Sequence, residues 1–244
     1  MKKETLVTTL GRNPHENYGV VNQPVYRAST ILFDTLADFE ASERSNGVNP
    51  LVYGRSGTPG TRALEEALAE LDGADHAILT ASGQSAILVA IAGLLSSGDH
   101  MLVTDNVYGS MRKLCKQEIK RFGIEISYFD PLCKDITPLL RPNTKMVYCE
   151  APGSQTFEVQ DIPAIAKVAH AHGAIVVIDN TWATPLFNCG SKNGADVTIH
   201  SCTKYIGGHS DLVMGLLTCS KKYYNDLRRA YRNFGACPLS LIHI

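Results

Sequence analysis

Four residues in the second half of the chain carry groups that could act together. Ser201, Thr203 and Lys204 place one amine beside two hydroxyls within four positions. Asp179 follows the unbroken apolar run 174–178, which is typical of a strand buried on both faces. We therefore expect Asp179 at the carboxyl end of a core strand, where open α/β sheets bind their ligands.

A buried carboxylate or ammonium at such an edge needs a partner, because burying an unpaired charge costs several kcal/mol. Pyridoxal phosphate would supply both partners: its protonated ring nitrogen would pair with Asp179, and its aldehyde would condense with the amine of Lys204. The hydroxyls of Ser201 and Thr203 could bind its phosphate. Taken singly, a strand-end Asp is more often a turn former or helix cap, and a Lys is usually only solvated. The occurrence of all four residues in this order along one chain favours a pyridoxal-phosphate site.

Further candidates come from three other places. Ser82-Gly83 forms a small-residue turn before a helix beginning at Gln84, and the N–H groups of such a turn can bind phosphate. Arg55, after Tyr53, could clamp a phosphate, although a loop salt bridge is the simpler interpretation. Tyr108 follows a predicted strand and could stack on a planar ring, although a core tyrosine is the commoner case.

The periodicity predicts an α/β fold. Apolar helical stripes alternate with short apolar strands from Thr61 onward, which indicates a mostly parallel sheet sandwiched by helices. We predict an extended N-terminal arm over residues 1–60 and one large domain over 61–237. Helices are predicted near 61–72, 84–95, 110–122 and 161–173, and strands near 76–80, 101–103, 124–129, 146–149, 174–178, 197–199 and 212–218.

Composition narrows the class of protein. The chain has 244 residues and a net charge of −1, with no basic stripe, which argues against nucleic acid as the main partner. No stretch has the length of a signal-peptide core or a membrane span. The seven cysteines are scattered without zinc-like spacing, so we expect reduced thiols, no metal site and a cytoplasmic location.

These motifs together resemble the transsulfuration, or Cys/Met-metabolism, family of pyridoxal-phosphate enzymes. The resemblance runs from about Thr5 to Cys237 and implies the large domain of the aspartate-aminotransferase type, a three-layer α/β sandwich of fold type I. The segments that carry it are Tyr53-Gly54-Arg55, Ser82-Gly83, Tyr108, 150–154, 179–182, 201–205 and 207–211.

The resemblance implies a role for each position. Lys204 would bind the cofactor covalently and then act as general base and acid. Asp179 would keep the ring nitrogen protonated, and Tyr108 would stack on the ring and assist amine exchange or protonation of the leaving group. The amides of Gly83 and Gln84, with Ser201 and Thr203, would hold the phosphate. Tyr53 and Arg55 would reach the phosphate of a neighbouring subunit, which implies a homodimer or homotetramer.

Within this family, Gly153-Ser154 and Trp182 are similar to the bacterial cystathionine beta-lyases. That pattern implies β-elimination of L-cystathionine to homocysteine, pyruvate and ammonia, as in methionine biosynthesis. A γ-acting relative and a non-catalytic regulator with the same fold remain open. A nucleotide-binding doubly wound domain would lack the expected Gly-x-Gly-x-x-Gly turn and would leave Lys204 and Asp179 unexplained.

The resemblance ends near Cys237. Family members continue into a smaller C-terminal domain that supplies an arginine for the substrate α-carboxylate. We therefore expect a C-terminally truncated chain whose residues 238–244 are a non-native tail that sequencing-adapter DNA would encode. Such a chain would bind the cofactor weakly and turn over poorly or not at all.

Overall fold

The computed structural model describes residues 2–44 and 51–238 as an α/β protein. Its helices are α1 (Lys3–Leu6), α2 (Leu36–Arg44), α3 (Pro59–Asp72), α4 (Gly83–Leu94), α5 (Gly109–Leu114), α6 (Ile162–His172), α7 (Thr184–Phe187) and α8 (Lys221–Asn233). Its strands are β1 (His76–Thr80), β2 (His100–Thr104), β3 (Glu125–Phe129), β4 (Thr144–Glu150), β5 (Ile175–Asp179), β6 (Val197–Ser201) and β7 (Gly215–Cys219).

The seven strands form one mixed sheet in the order β1-β7-β6-β5-β4-β2-β3. Strands β3, β2, β4, β5 and β6 pair in parallel, whereas β7 runs antiparallel to both of its neighbours. Strand β1 therefore points the same way as the parallel set. The predicted mostly parallel sheet is confirmed, and the carboxyl ends of six strands meet at one edge.

Helices cover both faces of the sheet, as the continuous apolar strands require. On β4, Met146 and Tyr148 pack into the core shared with α4, α5 and α8, while Val147 and Cys149 pack on the α6 side. Strand β5 alternates in the same way, because successive side chains of a strand point to opposite faces. This produces the expected three-layer sandwich, with a smaller cluster under α3.

Capping residues define both ends of α3 and α6. Thr58 caps α3 through a reciprocal hydrogen-bond pair with Thr61, and Gly73 closes that helix with a φ of 69°. Asp161 caps α6 by accepting from Ala164 N at 3.0 Å, and Gly173 ends it with a φ of 85°. A left-handed residue at a helix end strongly favours glycine.

Four helices were not predicted: the short α1 and α7, and the longer α2 and α8. Within the N-terminal region, α2 begins after Thr35, whose hydroxyl accepts from Asp38 N at 3.1 Å and donates to that carboxylate at 2.6 Å. A Thr three residues before an acidic residue is a recognisable N-terminal signal. In α8, Tyr223, Leu227 and Tyr231 form a buried stripe at helical spacing.

The predicted boundaries remain predictions. Residues 45–50 of the predicted arm and residues 239–244 of the predicted tail lie outside the described residues. Among the helices that are described, none is long and apolar enough to cross a membrane.

Candidate active site

The carboxyl edge of the parallel strands gathers seven of the nine predicted site residues. Each follows or ends a strand that points to this edge: Gly83 and Gln84 after β1, Tyr108 after β2, Asp179 on β5, and Ser201, Thr203 and Lys204 on or after β6. Sequence distances of more than one hundred residues are thus bridged by the sheet. The edge is where open α/β sheets place their ligands.

Asp179 is the last residue of β5 and only 8% exposed. Its Oδ1 accepts from Thr181 N at 3.0 Å. Burial raises the pKa of Asp179, while the N–H and hydroxyl of Thr181 act in the opposite direction. The carboxylate therefore lies where a cationic partner would lower its free energy.

A short hydrogen-bond chain links Asp179 to the segment that carries the lysine. Thr181 Oγ1 accepts from Ser201 N at 2.8 Å, so the ends of β5 and β6 are held together. Lys204 N in turn donates to Ser201 O at 3.0 Å, which makes a turn directly after β6. Lys204 is exposed, and its amine forms no hydrogen bond or ion pair with the described residues.

The start of α4 lies against the same segment. Ser82 caps the helix by accepting from Ser85 N at 3.1 Å, and Gly83 and Gln84 are its first two residues. The N–H groups at such positions have no acceptor within their own helix. A Cβ added to Gly83 would lie 2.9 Å from the Cβ of Ser201, so only glycine permits this approach. The Oε1 of Gln84 is buried without a partner among the described residues.

Thr203 and Tyr108 already have defined contacts. Thr203 Oγ1 donates to Met214 O at 3.2 Å and accepts from Met214 N at 3.0 Å, which holds the start of β7 against this turn. Its phosphate role stays a prediction. Tyr108 is 51% exposed, and its N–H donates to Glu150 Oε2 at 2.7 Å. The exposed ring is available to a planar ligand.

Tyr53 and Arg55 lie elsewhere in this chain. Tyr53 pairs with Thr30 in an isolated bridge, and Arg55 Nη1 donates to Arg232 O at the end of α8, at 3.3 Å. Tyr231 OH donates to the Arg55 carbonyl at 3.1 Å. Within the described residues, no hydrogen bond or ion pair joins these two to the other seven, and their predicted reach into a neighbouring subunit stays a prediction.

Two residues of the site were not among the predicted functional ones. Thr181 connects Asp179 to Ser201, and Glu150 ends β4 directly beside Asp179 in the parallel register. Both stand at or just after the end of an apolar strand, which is a signal available in the sequence. An aromatic group flanks them: Trp182 lies 5.5 Å from Phe157 and 5.3 Å from Tyr205 between ring centroids.

The donor set fits pyridoxal phosphate. Neither Asp179 nor Glu150 forms an ion pair with a Lys or Arg among the described residues, so a protonated ring nitrogen would supply the absent countercharge. Gly83 lets Ser201 approach the start of α4 closely, and a phosphate is favoured there by free N–H groups and the helix dipole. Lys204 provides an amine that is not engaged by described residues.

The sequence matches known proteins over nearly its whole length. The family model described as Cys/Met metabolism PLP-dependent enzyme matches residues 4–240. The chain is 43% identical over 234 residues to a provisionally named cystathionine beta-lyase of Rhizobium johnstonii. The match covers 96% of this chain and 58% of that protein. A Bordetella avium cystathionine beta-lyase is 40% identical over 87% of this chain and 54% of its own length. An O-succinylhomoserine sulfhydrylase of Pseudomonas aeruginosa is 42% identical over 84% of this chain and 51% of its own.

Solved structures agree on the fold. The structure of metB from Corynebacterium glutamicum matches 99% of this chain with a TM-score of 0.90 and 29% identity. A cystathionine gamma-lyase from Lactobacillus plantarum, in complex with L-serine, matches the same share with a TM-score of 0.88 and 31% identity. The chain covers 61% of each of these two chains and a little over half of the three relatives above.

Proposed function

Because this chain belongs to the Cys/Met-metabolism family of PLP-dependent enzymes, whose cofactor is pyridoxal phosphate, we propose that it is the cofactor-binding part of a carbon–sulfur lyase of the cystathionine beta-lyase type. The observation that carries the proposal is the hydrogen-bond chain from Asp179 through Thr181 to Ser201. It joins the strand end that bears the acid to the turn that bears Lys204. The two cystathionine beta-lyases among the relatives, one of them provisionally named, support the choice of β-elimination.

The proposed reaction converts L-cystathionine and water into homocysteine, pyruvate and ammonia. When bound, pyridoxal phosphate supplies an aldehyde that reacts with amines and a protonated ring that accepts electron density. Asp179 holds the proton on the ring nitrogen, since its buried carboxylate is otherwise without a cation. Lys204 removes the proton from the substrate Cα. Lys204 or Tyr108 then delivers a proton to the departing sulfur.

The remaining residues bind and orient. The first N–H groups of α4, at Gly83 and Gln84, attract the phosphate dianion together with the hydroxyl of Ser201. Tyr108 presents its exposed ring to the planar face of the cofactor. The seven cysteines are all free, and those at 115, 149, 202 and 219 are buried, which fits a reducing compartment such as the cytoplasm.

A γ-acting function is the second candidate. The match to an O-succinylhomoserine sulfhydrylase at 42% identity favours it, as does the gamma-lyase structure. Products separate the two, because β-cleavage of cystathionine yields pyruvate and homocysteine, whereas γ-cleavage yields 2-oxobutyrate and cysteine.

Covalent trapping tests the site directly. The purified chain is incubated with pyridoxal phosphate, reduced with borohydride and mapped by peptide mass spectrometry. We expect the label on Lys204, none in Lys204→Arg, and unchanged labelling in Lys192→Arg, which alters another lysine of the same domain. A label on a different lysine of the wild type would contradict the assignment.

A further inference from the structure

Glu150 and Asp179 form a pair of buried carboxyl groups at the centre of the carboxyl edge. They end the adjacent parallel strands β4 and β5 and are partners in the register. Two residues earlier, Tyr148 and Val177 both pack into the core on the α4 side. Because side chains two apart share a face of a sheet, Glu150 and Asp179 both face that side. Glu150 is 9% exposed and Asp179 is 8% exposed.

Glu150 also holds the turn that carries Tyr108. Its Oε2 accepts from Tyr108 N at 2.7 Å, although 42 residues separate the two in sequence. Its backbone carbonyl accepts from Gln160 Nε2 at 3.2 Å, which fixes the end of β4 from the other direction. One side chain therefore connects the candidate stacking residue to the strand pair that carries Asp179.

Two adjacent carboxylates without a cation cannot both be charged cheaply in a buried site. The pKa of Glu150 is raised to about 8, mainly by burial and also by the charge of Asp179, while the Tyr108 N–H acts in the opposite direction. Asp179 has the additional support of Thr181, whose N–H and hydroxyl both act to lower its pKa. Tyr148, on the same strand as Glu150, has its own pKa raised by burial and stays neutral. Glu150 is thus the member of the pair that keeps its proton.

We propose that Glu150 is a positioning residue of the cofactor site: its uncharged carboxyl group fixes the Tyr108 turn relative to Asp179 and leaves Asp179 as the one carboxylate charge facing the cofactor. An uncharged carboxyl group can accept the Tyr108 N–H through its carbonyl oxygen. It adds no second negative charge beside the ring nitrogen. This inference rests on the proposed function, because it concerns the same site.

Three substitutions separate charge from hydrogen bonding. Glu150→Gln keeps an uncharged acceptor of the same length, Glu150→Asp keeps an acid but shortens it, and Glu150→Ala removes both. Trp182 is the only tryptophan of the chain, so quenching of its fluorescence by pyridoxal phosphate reports binding. We expect Glu150→Gln to bind within about threefold of the wild type and the other two to bind about tenfold or more weakly. Glu118→Gln, an exposed partner of Arg121, is the control.

A second readout does not need the cofactor. Amide hydrogen exchange at Tyr108 should be as slow in Glu150→Gln as in the wild type and faster in Glu150→Ala, since only the latter loses the acceptor. Equal loss of binding and of amide protection in the Gln and Ala variants would overturn the proposal. If the wild type binds no cofactor while the Tyr108 exchange pattern holds, the proposed function fails and the positioning contact stands.

Discussion

Asp179 and Glu150 show how identical groups acquire different tasks at the residue scale. Both are carboxyl groups at strand ends with nearly equal exposure, and they are direct neighbours. They differ in their hydrogen bonds: Asp179 accepts from Thr181, next along its own chain, whereas Glu150 accepts from the distant Tyr108. Local contacts, rather than residue type, therefore decide which one is suited to face a cation.

The shifted pKa of Glu150 predicts a pH dependence of stability. Its pKa is about 8 in the folded chain against a reference of 4.5, so the folded state binds the proton more tightly. The stabilisation is complete below the reference value and is lost as pH rises towards about 8. Relative to Glu150→Gln, the wild-type free energy of unfolding should fall by about 1 kcal/mol per pH unit between about pH 5 and 8. Urea denaturation across this range checks it, and parallel curves for the two proteins would contradict it.

Gly83 predicts a steric effect at the phosphate end of the site. Gly83→Ala would place a Cβ 2.9 Å from the Cβ of Ser201, and we expect a loss of about 1–3 kcal/mol of stability with weaker cofactor binding. Gly109→Ala is the matched control, because Gly109 also begins a helix but has no atom within 4 Å of an added Cβ. Thermal unfolding and fluorescence titration measure both effects. Equal behaviour of the two variants would show that the close approach is unimportant.

At the element scale, a buried ionic network holds α3, β1 and α8 together. Glu65 of α3 lies 3.1 Å from Arg62 and 3.6 Å from Arg228 of α8, and its Oε1 accepts from Leu79 N of β1 at 3.0 Å. Both arginines also donate to Ser56 O, just before α3. The Glu65 carboxylate thus provides the countercharge for two buried guanidinium groups and accepts a hydrogen bond from one backbone N–H.

This network predicts a large effect of a small substitution. Glu65→Gln should lower the free energy of unfolding by about 3–5 kcal/mol, since it leaves two buried guanidinium groups without a countercharge. The neighbouring Glu66 is exposed on the same helix, so Glu66→Gln should change stability by less than about 0.5 kcal/mol. Chemical denaturation of the two variants makes the comparison. A loss below about 1 kcal/mol for Glu65→Gln would mean that water or relaxation satisfies the arginines.

At the scale of the whole molecule, the open question is whether one chain completes its own site. Seven predicted residues gather at one edge, but Arg55 contacts the end of α8 instead. The proposal that Arg55 serves a neighbouring subunit makes the site a property of an assembly, in which each chain gives a residue to the other.

Mixing two defective chains tests this arrangement. Arg55→Ala and Lys204→Ala should each bind pyridoxal phosphate poorly alone. Refolded together, they should regain part of the covalent labelling, because a mixed pair contains one site with an intact Lys204 and an intact Arg55 from its partner. Mixing Lys204→Ala with an Asp179→Ala chain is the control. Lys204 and Asp179 belong to the site of the same chain, so no site in this mixed pair has both residues. Equal labelling in both mixtures would contradict a shared site.

Much of the fold followed from the sequence, because local patterns carry it. Continuous apolar runs predicted the strands, and Gly73, Asp161 and Gly173 marked helix ends through a side chain or backbone freedom, whereas the Thr58 cap of α3 appeared only in the structure. Helix α8 was not predicted, although its buried stripe of Tyr223, Leu227 and Tyr231 is visible in the sequence. The position of β7 in the sheet is set only by its antiparallel pairing with β1 and β6. The order of strands depends on long-range pairing, which no local pattern specifies.

The sequence by itself determined which residue types end the core strands: an acid on β5, a hydroxyl and an amine after β6, and a small-residue turn before α4. It did not determine that Glu150 would lie beside Asp179, that Tyr108 would donate to it, or that Gly83 would approach Ser201 so closely. Those contacts join residues 29 to 118 positions apart, and they arise only when parallel pairing brings separate strand ends to one edge. The sequence specifies the chemical identity of each residue, whereas the distances between residues and their charge states depend on the folded environment.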